Sequence, residues 1–296
     1  MPHKISFIIA SVDRDQQLQQ CIASIEKAHI YSQDIPVEIL VVIQKAQQKK
    51  NILINYPEIT TFYYIDKIGL SAARNFAIEK SKGDYLVFLD DDAAISENFI
   101  EVLSKKIKLY DKVGAFCGKL IDSVQGIPFS CLFYNNNVKK LRRLEYQYFM
   151  GSAHILSKKV IEKIGGYNER FGVGSKYYRG GEETELFFRL KVAREQVLYL
   201  PDVVFFHPIP VTSEGYADNY GHAFSAMMAK SCTNDKAYFY IYLYIVSVKM
   251  LKAGIRLAQK WLFKGKYAAR DEKYQYAAWL KGMFRGIGDF VKNGYN

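Results

Sequence analysis

The sequence predicts an α/β protein: a mostly parallel central sheet flanked by helices, followed by a C-terminal helical appendage. Three observations predict it. Apolar strand-like runs alternate with amphipathic helical stretches over the first hundred residues, the pattern of βαβ units. The runs are uninterrupted, as in strands buried on both faces. From Ala237 the texture changes to dense aromatic and basic residues at helical spacing. The boundary is placed at residues 1–210 for the α/β domain and 211–296 for the appendage.

Lys4–Ala10 (KISFIIA) reads as the first strand, and the polar turn Ser11–Asp15 leads into a helix with Leu18, Cys21, Ile22 and Ile25 on one face. Val37–Ile43 is the second strand, followed by a polar segment, Gln44–Lys50. Thr60–Ile65 is the third. Gly69–Lys80 is a helix with Leu70, Ala73, Ala77 and Ile78 inward, stopping before the Lys82–Asp84 turn. Tyr85–Leu89 is the fourth strand and Glu97–Tyr110 the next helix. Val113–Leu120 reads as a strand, while Ile121–Arg143 has no clean period and reads as an excursion at the substrate end. Gln147–Leu156 reads as a strand and Lys158–Ile164 as a short helix closed by Gly165–Gly166. The glycine-rich segment Phe171–Gly181 opens onto a helix, Glu182–Arg194. Val197–Leu200 and Val203–Phe206 are read as two strand pieces split by Pro201–Asp202, the second ending at His207.

The chemistry is concentrated where the fourth strand ends, in YLVFLDDD (Tyr85–Asp92). Ligands of open α/β sheets bind beyond the C-terminal strand ends. Three adjacent carboxylates repel one another, and a cation among them relieves the repulsion. Hard oxygen donors suit Mg²⁺ or Mn²⁺, which in turn grip phosphate oxygens. The plainer alternative is a solvated turn in which Asp92 or Ser96 caps the following helix.

Bulk properties narrow the class. The chain has 296 residues, enough for one sizeable core plus an appendage. Its four cysteines show no CxxC spacing, so neither a zinc knuckle nor a disulfide framework is indicated. The N-terminus enters a strand directly and lacks the apolar core of a signal peptide, so a cytoplasmic protein is expected. The net charge of +11 is uneven: residues 236–296 hold twelve Lys/Arg against three Asp/Glu. A basic tail on a near-neutral body points to a polyanionic partner, a membrane surface or nucleic acid. Its longest apolar run, Ala237–Val248, has twelve residues, where a bilayer span needs roughly 20. Lys249, Lys252, Arg256 and Lys260 follow at helical spacing, and a second helix from about Tyr274 to Val291 carries Trp279, Met283, Phe284, Ile287 and Phe290. Coincident aromatic and basic enrichment favours an amphipathic pair lying in a membrane interface. The alternative is an appendage packed on itself with a solvated basic face.

Four segments in order, IGLSAARNFAIEKSKGDYLVFLDDDA, GGYNERFGVGS, GGEETELFFRL and VVFFHP, resemble the family-2 inverting glycosyltransferases of GT-A fold (Rossmann-like), bacterial polysaccharide-biosynthesis type. The resemblance covers about residues 4–207, and the tail is similar to membrane-association helices of some bacterial members. It implies a single displacement at an anomeric carbon with a nucleoside diphosphate leaving group, whose negative charge a divalent metal neutralises. Asp92 matches the metal-ligating aspartate and Asp90 the residue facing the ribose; Asp91, between them, is counted with Asp90 among the nucleotide-sugar-binding residues. His207 matches a histidine that adds a metal ligand; imidazole beside carboxylates favours Mn²⁺-like ions over Ca²⁺.

The same resemblance implies a general base at the start of the Glu182 helix, where Glu183 matches the usual aspartate of an ED pair and Glu182 is the competing choice. First-turn acids also stabilise a helix dipole by about 0.3–1 kcal/mol each, which accounts for Glu185. Ala10, Ser11 and Val12 would line base and ribose, with Asp13 and Arg14 nearby, although ASVDR departs from the more usual TYNR. Asp66 is placed for the nucleobase edge, favouring UDP, and Arg74 of AARN for base and phosphates. Gln44 stands where the family shows an aspartate. Gly151 and Ser152 match the acceptor-side wall.

The expected reaction is sugar transfer from a nucleotide-diphosphate donor to a saccharide or lipid-linked acceptor in bacterial cell-surface polysaccharide synthesis, at the inner face of the cell membrane. A nucleotidyltransferase of related fold would want a glycine- and arginine/lysine-rich triphosphate loop, which SVDRDQQL is not. A noncatalytic nucleic-acid binder lacks support from any RNP, zinc or helix-turn-helix signature. Oligomeric state is left open.

Overall fold

The computed structural model describes residues 2–44, 56–209, 214–234, 237–262 and 272–293. Two compact units divide the chain: residues 1–169 with 182–209, and residues 170–181 with 210–296. The glycine-rich stretch ahead of Glu182 therefore belongs with the C-terminal helices.

Among the described residues, the first unit is built on a nine-stranded sheet. Its first half follows the expected βαβ pattern: β1 (Ile5–Ser11), α1 (Asp15–Tyr31), β2 (Val37–Gln44), β3 (Thr60–Ile65), α2 (Leu70–Lys80) and β4 (Tyr85–Asp90). These four strands are parallel in the order β3-β2-β1-β4, with Ala10 opposite Asp90. Every residue of β1 is buried, and Tyr85–Leu89 of β4 likewise, as their unbroken apolar runs require. Full burial of each large side chain contributes about 1.5–3 kcal/mol. α1 turns Leu18, Cys21, Ile22, Ile25 and Ala28 inward, the face its spacing indicated.

Beyond β4 come β5 (Ala94–Ile95), α3 (Phe99–Leu109), β6 (Ala115–Asp122), β7 (Lys139–Lys140), β8 (His154–Ser157), α4 (Lys158–Ile164), α5 (Glu182–Val192) and β9 (Val197–His207). Here the sheet is mixed. β8 lies antiparallel between β4 and β6, while β9 runs parallel to β6 and pairs antiparallel with β5 and β7.

Two elements differ from expectation in their extent. Gln147–Leu156 is a strand only from His154; Arg143–Tyr148 forms a 3₁₀ segment that buries Tyr146 and Tyr148. The apolar content was read correctly, but apolar residues alone do not separate a strand from a tight turn. The two pieces around Pro201–Asp202 are one strand, β9, whose pairing with β6 shifts register between Gly118 and Lys119. A bulge there accommodates a proline without a ladder N–H. A Cβ on Gly118 would lie 2.3 Å from the Val203 carbonyl oxygen, so glycine permits the close approach. The excursion after β6 carries a 3₁₀ turn, Cys131–Tyr134, and the short β7.

The second unit contains α6 (Glu214–Asn234), α7 (Ala237–Leu262) and α8 (Glu272–Asn293). Glycines bring α6 and α8 together: a Cβ at Gly282 would stand 1.9 Å from the Asp218 carbonyl oxygen, and one at Gly221 would stand 2.0 Å from that of Trp279. Trp279 and Met283 are buried, with the Trp279 ring 5.3 Å from Phe224 and the Lys249 ammonium 4.3 Å from its centre. Burial, with Lys252 nearby, holds Lys249 down to about 8. Among the described residues no helix is long and apolar enough to cross a membrane. Tyr240, Leu243, Tyr244, Leu251 and Ile255 instead form an exposed apolar stripe on α7. The polar segment after Gln44, Lys236, and the side chains of Arg256, Lys260 and Phe290 lie outside the described residues.

Candidate active site

β5 explains why two distant motifs meet. The chain turns after Asp92 and immediately adds β5 to β9, with Ala94 opposite Phe206 and Ile95 opposite Phe205. The aspartates and His207 are thereby held at one end of the same ladder. The result is a donor set of Asp90, Asp92 and His207, whose ligand atoms all lie within 4.8 Å of one another. His207 Nε2 is 3.1 Å from Asp92 Oδ1 and 3.5 Å from Asp90 Oδ2. Its other nitrogen, Nδ1, hydrogen-bonds the Pro208 carbonyl oxygen at 2.7 Å, which fixes the ring and directs Nε2 toward the acids.

These residues fit a divalent ion. Asp92 Oδ1 is a buried oxygen whose near neighbour is the His207 imidazole, at 3.1 Å. Two carboxylates and one imidazole make a donor set suited to Mn²⁺ or a similar ion. Protons take the place of metal charge in the titration of the free site. Burial opposes a charge on His207, yet its contacts with Asp90 and Asp92 raise it to about 10. Burial also works against ionised Asp90, but His207 and the Arg74 charge bring it down to about 2.

Asp91 points elsewhere. It is buried, accepts from Ser11 Oγ at 2.7 Å, and is paired with Arg14 Nη1 at 3.1 Å. Burial raises its pKa, with Asp92 and Asp90 adding to the rise against Ser11 and Arg14. Arg14 Nη1 also reaches Asp92 Oδ2 at 2.7 Å. Ser11 and Arg14 therefore bind the acidic turn to the end of β1, beside Ala10 and the half-buried Val12. Asp66 is exposed just past the end of β3, two strands from β1 in the sheet order.

Arg74 has no solvent exposure. Nη2 donates to Asp90 Oδ1 and to the Gly151 carbonyl oxygen, both at 2.9 Å, and Nη1 donates to Glu182 Oε1 at 3.3 Å. The guanidinium sits 5.3 Å from the centre of the Tyr167 ring. Glu182 and Glu183 open α5 after Gly181, whose φ of +76° suits glycine, and both side chains are buried. Burial, then the Glu183 carboxylate, pushes Glu182 up to about 8 despite Arg74. Glu185 pairs with Arg189 one turn on, at 2.8 Å. Ser152 is buried beside Gly151.

Several supporting residues carried no role in the sequence reading. Asn75 Oδ1 accepts the Tyr167 N–H at 2.7 Å and Nδ2 donates to the Tyr167 carbonyl at 2.9 Å, so one amide holds the peptide from both sides. Tyr167 also hydrogen-bonds His154 Nε2, and burial with Arg74 nearby holds that imidazole down to about 3. Gln44, where an aspartate is more usual, accepts the Gly69 N–H at 2.7 Å and so caps the entry to α2. The AARN motif was the available signal for Asn75 and the GGYNERF segment for Tyr167; His154 had none.

An Asp-Asp-His centre at the strand ends of the sheet, with buried acids at the start of α5, is set in an α/β protein of GT-A fold. The match to the model of Glycosyl transferase family 2 covers residues 6–165, more than half the chain, and the chain belongs to that family. It is 29% identical over 175 residues to an uncharacterized protein of Haemophilus influenzae, a match covering 54% of this chain and 91% of that one. Among solved structures it is similar to the mannosyltransferase PcManGT from Pyrobaculum calidifontis in complex with GDP-Man and Mn²⁺, with a TM-score of 0.67 at 13% identity, over 98% of this chain and 88% of that one. It is also similar to S. aureus TarS, with a TM-score of 0.62 at 13% identity, over 98% of this chain. The chain spans about half the length of TarS, 49% of it. At these identities the structural likeness speaks for the fold.

Proposed function

We propose that this family-2 glycosyltransferase is a metal-dependent inverting enzyme. Its donor is a nucleotide-diphosphate sugar, with UDP favoured, and its acceptor a saccharide or lipid-linked saccharide of bacterial cell-surface polysaccharide synthesis. The observation that carries this reading is the convergence of Asp90, Asp92 and His207 at the end of β4 and β9. PcManGT, of the same fold, holds GDP-Man and Mn²⁺, and a TarS fragment of 14% identity and TM-score 0.54 holds UDP.

Asp90, Asp92 and His207 would hold the ion, and Mn²⁺ or Mg²⁺ there would supply Lewis-acid neutralisation of the departing diphosphate. Ala10, Ser11, Val12 and Asp66 line the strand ends where nucleoside would lie, with Arg14 holding the acidic turn. Glu183 takes the proton from the acceptor hydroxyl as its oxygen attacks the anomeric carbon from the face opposite the diphosphate. Gly151 and Ser152 form the wall on the acceptor side.

The α7 stripe extends the reading to location. Tyr240, Leu243, Tyr244, Leu251 and Ile255 share one exposed face, and the tail is strongly basic. Such a helix lies in an anionic lipid interface without crossing it, which suits a lipid-linked acceptor at the inner face of the membrane.

The test is thermal shift with UDP, GDP and TDP, each with and without Mn²⁺, followed by donor hydrolysis with the best binder. Metal-dependent stabilisation by one nucleotide, lost in Asp92→Ala, supports the reading. No stabilisation and no hydrolysis with any nucleotide sugar refutes it.

A further inference from the structure

Going beyond the transferase reading, we infer that a cleft at the N-terminal ends of β4 and β6 is a second ligand site, suited to a small phosphorylated sugar.

The cleft has a volume of about 520 Å³, within the roughly 300–1,000 Å³ of small-molecule sites. It lies at the other end of the sheet from the metal centre. Tyr85, which lines it, and Asp90 are the two ends of β4, and five steps of about 3.3 Å set them roughly 17 Å apart. Its walls are turns pinned by hydrogen bonds. Lys82 N–H donates to Glu38 Oε1 at 2.6 Å, Gly83 N–H to Ser6 Oγ at 2.8 Å, and Asp84 N–H to the Lys4 carbonyl oxygen at 2.8 Å. On the other wall, Ser157 N–H donates to the Gly114 carbonyl oxygen at 2.7 Å. A Cβ on Gly114 would stand 2.4 Å from Val160 Cγ2, so glycine lets α4 close on the start of β6. A cleft formed in advance spends little binding energy on ordering.

Two features point to a ligand. Tyr85 is only 6% exposed, and its hydroxyl has no hydrogen-bond partner among the described residues. Burial, then Asp84 and Asp111, raise its pKa, so this otherwise enclosed phenol presents an O–H donor to the cleft. The second feature is charge. Lys82, Lys112 and Lys159 come from three segments: the turn before β4, the turn before β6 and the first turn of α4. Among the described residues their ammonium groups have no partner, whereas Lys4, Lys67, Lys106, Lys139 and Lys163 each pair with a carboxylate. Three ammonium groups and a phenol are all donors, which a phosphate ester, with its acceptor oxygens and negative charge, complements.

The acids of the cleft narrow the class. Asp84 already accepts the Lys4 N–H at 2.9 Å, and Glu195 pairs with Lys163 at 2.7 Å. Asp111 and Glu162 have no cation partner among the described residues, and an ionised carboxylate only accepts. Both disfavour a bare phosphate and both receive hydroxyl groups. The complementary molecule therefore carries hydroxyls beside its phosphate, as a phosphorylated sugar does.

The test is titration calorimetry of the full chain with glucose 6-phosphate, inorganic phosphate and glucose. Glucose 6-phosphate should bind, with the other two each at least about tenfold weaker, the factor that one charged hydrogen bond is worth. Lys112→Glu with Lys159→Glu, at two exposed positions, should weaken glucose 6-phosphate by about 100-fold or more, and Tyr85→Phe by about 5- to 10-fold. Asp111→Ala with Glu162→Ala should weaken glucose 6-phosphate yet tighten inorganic phosphate. Asp92→Ala should leave the binding of glucose 6-phosphate unchanged, which separates this cleft from the metal centre.

Undiminished binding in the lysine double variant, or loss of binding in Asp92→Ala, would put the ligand elsewhere and overturn the inference. Inorganic phosphate binding as tightly as glucose 6-phosphate would overturn the sugar class, and no heat with any probe would overturn the site. None of these titrations uses a nucleotide, Mn²⁺ or sugar transfer, so their outcome is separate from that of the transferase reading.

Discussion

Metal loading at Asp90, Asp92 and His207 should release a proton, and the amount is fixed by the electrostatics of the free site. His207 is raised to about 10 by its two carboxylate neighbours, so without metal it is an imidazolium across the physiological range. An ion needs the neutral ring and must displace that proton. Asp90, held to about 2, has none to give above pH 5. The sign follows: affinity is weakest where His207 is fully protonated and rises as pH climbs toward 10. Below that value the apparent Mn²⁺ affinity should increase about tenfold per pH unit, or ~100-fold and ~2.7 kcal/mol between pH 6 and 8. An imidazole at its ordinary 6.5 would instead gain only about 4-fold over that range and be ~3% protonated at pH 8. Titration calorimetry of Mn²⁺ in buffers of different ionisation enthalpy separates the cases, since the raised His207 should release about one proton at pH 8. His207→Gln should abolish the release and flatten the pH dependence. Release below about 0.2 proton at pH 8 from wild type, with flat affinity, would refute the argument.

Gly282→Ala should destabilise the C-terminal unit by about 1–3 kcal/mol or more, because its Cβ would collide with the Asp218 backbone at 1.9 Å. Gly254→Ala, with nothing within 4 Å, should stabilise α7 by up to about 1 kcal/mol, and urea melts of the two report opposite shifts. Gln44→Ala orphans the Gly69 N–H and should cost about 1–2 kcal/mol in the same assay, whereas Gln44→Glu, which keeps the acceptor oxygen, should cost less. Tyr244→Glu with Leu251→Glu on the exposed α7 stripe should reduce co-sedimentation with anionic liposomes while leaving donor hydrolysis unchanged; undiminished binding would place the lipid contact elsewhere.

The parallel half of the sheet was legible because β1, β2 and β4 are buried on both faces and leave a continuous apolar signature. The mixed half was not. β8 is four residues long and β5 only two, below the length at which a pattern can be distinguished from a turn. Yet β5 is what closes the site, since its two residues pair with Phe205 and Phe206 and set Asp92 beside His207. Asp92 and His207 were found through motifs, each at a strand end. Asp90 was placed on the ribose, and its approach to His207 at 3.5 Å comes from the ladder that no local pattern announces.

Arg74 is the sharper case. Its sequence neighbourhood, a basic residue in an alanine-rich helix, is that of a solvated charge, and the structure encloses it completely. Burial of a guanidinium is decided by partners 16 and 108 residues away, so it is a property of the assembled fold. Gln44 shows the converse. Loss of the usual carboxylate at the end of β2 looks like a weakened nucleotide site, but the amide oxygen is spent on the first N–H entering α2. That helix carries Arg74 four residues after its first residue. A departure at one strand end thus acts on the cleft through the anchoring of a helix, and the side chain that it steadies is the one joining Asp90 to Glu182.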